Sequence, residues 1–517
     1  MTVRTTEVEG LTSPARASML LSGYRVAVAG GGVAGLAAAY FLACRGAEVF
    51  VFERDPPPPS DDPEKAFLTW KRPGASQLRH SHVFLGRLRA LLRDEYPEIL
   101  EALLAAGFKE MRPLDHPPPA LRGRLQPEAG DQDLVALAGR RVTFECVLRR
   151  LVLQHPRIKL YDCAKVVGLM ASPTMPPQVC GLWVEKGGKR KELFRVHFVV
   201  DASGRNSQVV RWLAEIGCRP VDDRREDSGI AYYTRFYQRL ADADEPKPGQ
   251  DPWVDDWDWL KFALFLAEDG VFSITLAVPL VEPRLKILRH PATFDRVVCM
   301  IPGLRDWIDP CVAKPFPGVP RGVEAMGGLV NRRRRFVDAA GPIVLRYFAV
   351  GDSAYCTNPL YGRGCAQALL HGHFLVQALV QSRGDFWQAA LILDQLAREQ
   401  IEPFYRASVI ADRDATRRAL GQPPPRLAAR LQEKFFRDGI AVAMRTDPVV
   451  YRAFLRMINM FETPEQAFLR PDVVARTLWL MSRGDELRRQ RAQRVVALEE
   501  CLARLETISG ARTASVQ

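Results

Sequence analysis

Three glycines and one acid near the N-terminus have the spacing of a dinucleotide-binding turn. Gly30, Gly32 and Gly35 form the pattern GxGxxG, and Glu53 follows roughly 20 residues later. Gly30 permits a tight turn, Gly32 lets the backbone approach a pyrophosphate, and Gly35 lets a helix pack closely on a strand. Glu53, with Arg54 beside it, can accept hydrogen bonds from the hydroxyls of an adenosine ribose.

The residues around this pattern predict the elements that would position it. We expect a strand over Arg25–Ala29, a helix that ends near Gly46, and a second strand that ends on Glu53. The first helical turn, at Val33 and Ala34, would direct free N–H groups and the positive end of the helix dipole at the phosphates. Because GxGxxG stands inside this arrangement, it indicates a dinucleotide site far more strongly than the motif would alone.

Two later sites repeat the order of strand, glycine turn and helix. A buried strand is predicted to end at Asp201, and Gly204 opens the turn that follows. Another strand ends at Gly351 and Asp352, and a turn-rich loop then leads into a helix from about residue 366. The candidate binding residues of that loop are Pro359, Gly362, Arg363 and Gly364. An ionised carboxylate such as Asp352 only accepts hydrogen bonds, so it suits two adjacent hydroxyl donors.

These three sites, in this order, resemble one enzyme family. The sequence resembles the FAD-dependent monooxygenases with the para-hydroxybenzoate hydroxylase-type fold, over roughly residues 24 to 380. Arg141 and Glu145 form an RxxxE pattern similar to the arginine-bearing helix of that family. The stretches RPGASQLRHSH, VVDASGRNS and GDSAYCTNPLYGRGCAQAL look closest to the branch of squalene-type and polyether-pathway epoxidases, geranylgeranyl reductase-like proteins and flavin-dependent halogenases.

The resemblance implies where FAD would bind. Glu53 would hold the adenosine ribose, Asp352 would bind the ribityl hydroxyls, and the loop that ends at Gly364 would pass beneath the isoalloxazine ring. Arg141 would also contact the cofactor. The stretch from Asp201 to Gly204 would support FAD and, in the family, often NAD(P)H, although this chain has DASG where the hydroxylases have DG.

The resemblance also implies a reaction. An FAD-dependent monooxygenase would form a flavin hydroperoxide from dioxygen with electrons from NAD(P)H, and would epoxidise or hydroxylate an apolar secondary metabolite (a polyketide, terpenoid or aromatic). Such an enzyme needs a cavity that excludes water. The aromatic strands at 232–237 and 262–277 are expected either to line that cavity or to pack as an ordinary core. The flavin carries the chemistry, so we name no catalytic residue.

Three other functions remain open at this stage. A flavin-dependent halogenase would need a lysine, for which Lys71 is the candidate, but WDW at 257–259 is followed by LKF and fails the halogenase signature. A flavin-dependent reductase of isoprenoid double bonds would act without oxygen. A non-catalytic flavoprotein would only bind partners.

Changes in residue composition and periodicity along the chain predict its domain organisation. Residues 228–330 are rich in β-forming and aromatic residues, whereas residues 385–517 follow helical periodicity. We expect an α/β fold (α+β overall), with a Rossmann-like FAD-binding domain, an inserted β-sheet substrate domain and a helical C-terminal region. The predicted parts are a loose leader (1–23), the FAD-binding domain (24–227, with an excursion at 113–139), the substrate domain (228–330), the return of the FAD-binding domain (331–384) and the helical region (385–517).

The overall composition narrows the class of protein. The 517 residues are 47% hydrophobic and 26% charged, which excludes wholesale disorder. The net charge of +12 comes without any nucleic-acid-binding signature, so we expect no nucleic acid partner. The uncharged stretch 26–44 has the length of a membrane helix, but its glycines and charged flanks favour the nucleotide interpretation. Ten scattered cysteines, no signal peptide and no metal motif indicate a cytoplasmic enzyme without bound metal.

Three further features carry weaker expectations. His80 and His82 stand two apart without acidic neighbours, which favours a structural or cofactor-adjacent role over a metal site. The run of four arginines at 332–335 is interpreted as a solvated charge run, with the phosphate of NADPH or an acidic partner as the alternative. The C-terminal helices could clamp the FAD-binding domain, form a dimer surface or touch a membrane.

Overall fold

The structure is a computed structural model that describes residues 20–188, 191–246, 252–319, 321–483 and 495–514. Most of the leader predicted at 1–23 lies outside these residues. The sequence GGK at 187–189 predicts a hairpin turn, and its Lys189 also lies outside them, as do residues 484–494.

A five-stranded parallel sheet forms the centre of the nucleotide-binding region. Its strands, in spatial order, are Tyr347–Ala349, Phe198–Asp201, Arg25–Ala29, Glu48–Phe52 and Ile158–Tyr161. Both faces of this parallel sheet are covered by other elements, which explains why its strands are almost continuously apolar. The predicted strand Arg25–Ala29 is confirmed, while the second strand ends on Phe52, one residue before Glu53.

The covering layers are formed by helices on one face and a small antiparallel sheet on the other. The helices Val33–Cys44, Arg141–Gln154 and Arg363–Gln381 pack together with the parallel sheet in one large core. Strands of the small sheet run over Ala164–Ser172, Gln178–Lys186 and Lys191–Arg195. The sequence pattern over 160–169 predicts a single strand, but the chain forms two strands that are divided at Cys163, which has a φ of 53° and turns the chain between two sheets.

Three helices and a small sheet lie between the glycine turn and Asp201 in the sequence. The helices are Pro63–Thr69, Gly86–Glu95 and Pro97–Ala105, and the three-stranded sheet consists of Val83–Phe84, Ala136–Ala138 and Lys109–Met111. The spacing of apolar residues predicts a helix from about His82, but this helix begins only at Gly86, because the chain first forms a short strand.

A six-stranded antiparallel sheet occupies the segment predicted to be β-rich. Its strands are Ile230–Arg239, Val254–Asp256, Lys261–Leu266, Val271–Pro279, Ala313–Pro315 and Glu324–Met326, with the helices Pro291–Cys299 and Pro302–Arg305 beside them. Alternate residues face opposite sides. Tyr233, Tyr237, Phe262 and Phe272 pack into a separate core on the outer side. The aromatic residues that could have lined a cavity are therefore mainly core, and Tyr232, Thr234 and Phe236 face inward.

The four arginines at 332–335 form a strand and are not a solvated run. Strand Val330–Arg335 pairs antiparallel with Asp222–Asp227 and contacts Tyr355–Cys356. Arg332 binds Asp223, Arg333 binds Asp222 and Glu402, Arg334 lies 3.5 Å from Asp223, and Arg335 lies 3.4 Å from Asp394. Arg334 is only 1% exposed. The solvated interpretation is wrong, because neighbouring carboxylates neutralise these side chains and allow their burial.

The described part of the chain after residue 385 is mainly helical, as expected. Its helices are Phe386–Gln400, Glu402–Ala419, Leu427–Lys434, Ala441–Ala443, Pro448–Ile458, Pro464–Phe468, Pro471–Arg483 and Leu498–Ala514. The expected fold class, a Rossmann-like parallel sheet within a mixed α/β chain that ends in helices, is confirmed. Within the described segments, none of the helices combines the length and the apolar character needed to cross a bilayer.

Candidate functional site

A cavity of about 400 Å³ extends from the glycine turn to the helix Arg363–Gln381. Predicted residues that line it are Gly30, Gly32, Val33, Ala34, Glu53, Arg54, Arg141, Gly204, Asp352 and Gly364. The fold thus brings together at least one predicted binding residue from each of the three sites, which lie far apart in the sequence.

The glycine turn has the geometry that the sequence predicts. Gly30 has a φ of 107°, and a Cβ atom there would stand 2.5 Å from the carbonyl oxygen of Ala202. A Cβ on Gly35 would stand 1.8 Å from the oxygen of Gly30, so only glycine allows this helix to approach the strand. Gly32, in contrast, has no heavy atom within 4 Å of its Cβ position and faces open cavity. Gly32 therefore leaves room for a ligand, while Gly30 and Gly35 let the strand, the turn and the helix pack closely against one another.

Glu53 is held rigidly at the same end of the cavity. Its Oε2 accepts hydrogen bonds from the N–H of Gly31 at 2.7 Å and from Arg72 at 3.1 Å, and its Oε1 accepts from the N–H of Asp55 at 2.8 Å. Arg72, which the sequence reasoning missed, also binds Asp55 and Glu145. Burial lowers the pKa of Arg72, but Glu145, Glu53 and Asp55 raise it above its ordinary value. Glu53 is therefore a preorganised acceptor whose remaining lone pairs are available for a ribose.

Asp201 does not line the cavity, although it was predicted to contact the cofactor. Its carboxylate is fully buried and accepts hydrogen bonds from the Ser203 N–H (2.9 Å) and from the hydroxyls of Ser203 (2.5 Å), Ser207 (2.5 Å), Tyr347 (2.7 Å) and Ser353 (3.2 Å). Ser353 also accepts a hydrogen bond from the N–H of Gly204. Asp201 thus holds the turn that brings Gly204 to the cavity, and its role there is indirect.

Asp352 also lines the cavity, where the charge of Arg141 acts on its carboxyl group. Burial raises the pKa of its carboxyl, while the positive charges of Arg141 and Arg205 lower it. Arg141 is itself buried and 3.7 Å from Glu145. A Cβ on Gly351, which does not line the cavity, would come within 2.9 Å of the Cβ of Ala34, so this glycine lets the two sites approach.

Only the last residue of the loop that follows reaches the cavity. Gly362 has a φ of 66° and packs against Val83. Pro359 is exposed and does not line the cavity. Arg363 turns away from the cavity and donates hydrogen bonds to the carbonyl of Phe404 and the hydroxyl of Ser408, both at 3.3 Å. Burial lowers the pKa of Arg363 to about 10. These residues shape and anchor the loop, whereas Gly364 faces the ligand space.

Three buried polar atoms, all of residues that line the cavity, have no hydrogen-bond partner among the described residues. They are Trp212 Nε1, Gln77 Oε1 and Arg141 Nε. Buried polar atoms in native proteins nearly always have partners, so these three donors and acceptors match a polar ligand. Together with the glycine cradle they fit FAD. Gln77 belongs to the RPGASQLRHSH stretch, whereas nothing in the sequence distinguished Trp212.

The first of the two early histidines contacts the six-stranded sheet. Nδ1 of His80 lies 3.0 Å from the hydroxyl of Thr234, and burial lowers the pKa of His80 to about 4. Nδ1 of His82 lies 2.9 Å from the carbonyl oxygen of His80, and burial lowers the pKa of His82 to about 3. These pKa values favour neutral rings at pH 7. No group of three potential metal ligands occurs among the residues that the structure describes.

The comparisons with known proteins agree with this site. Residues 25–141 match the family of FAD dependent oxidoreductases. This match supports the expected FAD cofactor and an oxidoreductase activity.

Three individual proteins are similar over most of the chain. Rv3254 of Mycobacterium tuberculosis is 25% identical over 454 residues, which cover 84% of this chain and 89% of that protein. The myxobacterial chondrochloren halogenase CndH has a TM-score of 0.56 at 16% identity, and the match covers 85% of this chain and 97% of CndH. PqsL, a probable FAD-dependent monooxygenase from Pseudomonas aeruginosa, has a TM-score of 0.52 at 14% identity, covering 76% and 96%. At these identities the two structures show a shared fold.

Proposed function

We propose that the protein is an FAD-dependent monooxygenase that epoxidises or hydroxylates an apolar secondary metabolite with electrons from NAD(P)H. The observation that carries this proposal is the cavity, which joins the glycine turn to Asp352 and Gly364 and so has an end for each half of FAD. Reduced FAD supplies the chemistry: it activates dioxygen so that one oxygen atom is transferred to the substrate.

The chain's own residues would bind and orient the cofactor. Glu53 would accept from the adenosine ribose, and Asp352 from the ribityl hydroxyls, because ionised carboxylates are pure acceptors. The helix Arg363–Gln381 begins at the cavity, and its free N–H groups would stabilise negative charge there. Gly364 lies at this helix start without a side chain, which would let the flavin ring approach the backbone.

An apolar cluster supports an apolar substrate. Ile230, Tyr232, Ala277 and Leu329 are buried together, and Leu360 of the loop before Gly364 packs against them. This cluster lies between the six-stranded sheet and the loop, where the substrate would meet the flavin. An apolar wall at this position would exclude water from the reacting atoms.

Halogenation has less support. Lys71 is exposed and does not line the cavity, so it cannot deliver a halogen species from beside the flavin. Lys261 faces the inner side of the sheet, but it forms an ion pair with Asp256 at 2.6 Å, and that charge raises its pKa despite burial. We therefore expect oxygen transfer without a requirement for halide.

The purified protein tests this proposal directly. We expect bound or reconstitutable FAD, and NAD(P)H oxidation under air that particular olefins or aromatics stimulate, with the same rate when chloride and bromide are replaced by sulfate. Asp352→Asn should lower FAD affinity, whereas the exposed control Asp338→Asn should not. A colourless protein that cannot be reconstituted, a strictly halide-dependent product, or double-bond reduction under anaerobic conditions would contradict the proposal.

A further inference from the structure

A buried carboxylate of the C-terminal region contacts the 357–362 loop through two asparagines. Asp412 lies on the helix Glu402–Ala419 and is 3% exposed. Its Oδ1 accepts a hydrogen bond from Nδ2 of Asn358, and its Oδ2 accepts one from Nδ2 of Asn331, both at 2.7 Å. Asn358 and Asn331 are 1% and 0% exposed, so water does not compete for these bonds.

The two asparagine oxygens in turn hold the backbone of the loop. Oδ1 of Asn331 accepts the N–H of Asn358 at 2.8 Å. Oδ1 of Asn358 accepts the N–H of Leu360 at 3.1 Å and also the hydroxyl of Tyr232. Asn358 thereby caps the short turn Pro359–Tyr361 that precedes Gly362 and the cavity helix.

Asp412 fixes the orientation of both amides. A carboxylate only accepts hydrogen bonds, so each asparagine must turn its NH₂ group toward Asp412 and its oxygen toward the loop. If one carboxylate oxygen became an NH₂ group, it would face the NH₂ group of Asn331 or Asn358, and one of the two asparagines would have to rotate. The rotated asparagine would then present a donor to a backbone N–H of the loop.

We propose that Asp412 is a positioning residue for the flavin, and that it acts through Asn331 and Asn358 on the loop beneath the proposed isoalloxazine site. This inference rests on the proposed function, since it needs FAD in the cavity. It assigns a task to the C-terminal region: one of its helices sets the geometry of the loop that leads to Gly364.

The surroundings of Asp412 make its charge sensitive to pH. Burial raises the pKa of Asp412 to about 6, while the two asparagines and the distant Lys261 lower it. Tyr232 interacts electrostatically with this group, and burial keeps the pKa of Tyr232 well above its usual range. No ion pair to Asp412 occurs in the described part of the chain. Protonation replaces one acceptor by a donor, so the loop should loosen as the pH falls through about 6.

The test uses a variant that changes hydrogen bonding but not volume. In Asp412→Asn, hydrogen exchange of a peptide covering residues 357–362 should accelerate by about tenfold or more, because a buried donor is left without an acceptor. The flavin spectrum and reduction potential of the holoenzyme should shift as well. Asp414→Asn on the same helix, which loses only its pair with Arg417, should change neither.

A double variant separates positioning from simple destabilisation. Asp412→Asn with Asn358→Asp restores every donor and acceptor. The new carboxylate at position 358 would accept from the Leu360 N–H and from the new amide at position 412, whose oxygen would accept from Asn331. We expect the double variant to regain slow exchange, and the pH step near 6 to be absent from Asp412→Asn.

The outcomes that count against this role are distinct from those that count against the proposed function. The proposal would be overturned if Asp412→Asn kept the hydrogen-exchange rate and the flavin reduction potential of the wild type. It would also be overturned if the double variant did not regain slow exchange. Exchange can be measured without FAD, so loss of flavin binding in the wild type would contradict the proposed function alone.

Discussion

At the scale of single residues, the cavity separates side chains that touch the ligand space from those that hold them. Glu53, Asp352 and Gly32 line it, whereas Asp201 and Arg363 turn their polar groups into the protein. Sequence motifs mark all five equally, because a motif records that a position matters and not which way its side chain points. The distinction decides which substitutions should affect FAD affinity and which should affect folding.

Trp212 offers a test of FAD binding at the cavity. Trp212 lines the cavity, and its buried indole N–H has no hydrogen-bond partner among the described residues, so we expect it to donate to FAD. Trp212→Phe should weaken FAD binding to the apoprotein about three- to tenfold, as measured by titration with fluorescence quenching. Trp307→Phe is the matched control, since Trp307 Nε1 is also buried and unpaired but belongs to the outer core of the six-stranded sheet. Equal losses in both variants would contradict this assignment.

The raised pKa of Asp352 leads us to predict how FAD binding depends on pH. Burial raises the pKa of its carboxyl, so it becomes protonated at a higher pH than an ordinary aspartate. The ionised form is the better acceptor for ribityl hydroxyls, and FAD affinity should therefore fall as the pH decreases through this raised pKa. In Asp352→Asn the affinity should be lower at pH 7 and lack this dependence. The dissociation constant for FAD is measured between pH 4 and 8. The same pH dependence in the wild type and in the variant would contradict this role of Asp352.

At the scale of elements, the glycine turn gives two opposite expectations for the same substitution. Gly35→Ala forces a methyl group into the backbone of Gly30 and should destabilise the fold by about 3 kcal/mol or more. Gly32→Ala meets open space at a φ of −80°, so it should leave the unfolding free energy nearly unchanged while weakening FAD binding. Chemical denaturation and FAD titration of both variants separate these effects. Comparable stability of the two variants would contradict the packing argument.

The elements that the sequence predicts well are those whose pattern is local. The strand Arg25–Ala29, the turn and the helix after it follow from apolar periodicity and glycine spacing within a short stretch. The arginine strand could not be predicted, because the carboxylates that neutralise Arg332 and Arg333 come from residues 222 and 223, far away in sequence. Which residues of the six-stranded sheet face inward and which face outward also depends on long-range packing. The aromatic residues along one strand do not determine it.

At the scale of the whole molecule, one helix of the C-terminal region contacts the loop that leads to Gly364. Arg363 donates hydrogen bonds to Phe404 and Ser408, and Asp412 accepts hydrogen bonds from Asn331 and Asn358. These contacts of the helix Glu402–Ala419 favour the clamp among the three expectations for this region. Many arginines that give the chain its charge of +12 take part in such internal contacts, which supports a structural explanation for part of the basic composition.

Incorporation of labelled oxygen tests the central claim most directly. The FAD-reconstituted protein is supplied with NAD(P)H, ¹⁸O₂ and a substrate that stimulates NAD(P)H oxidation, and the product mass is measured. The account predicts a gain of one ¹⁸O atom per product molecule, without halide. A halogenated product, a reduced product, or a product whose oxygen comes from water would contradict it.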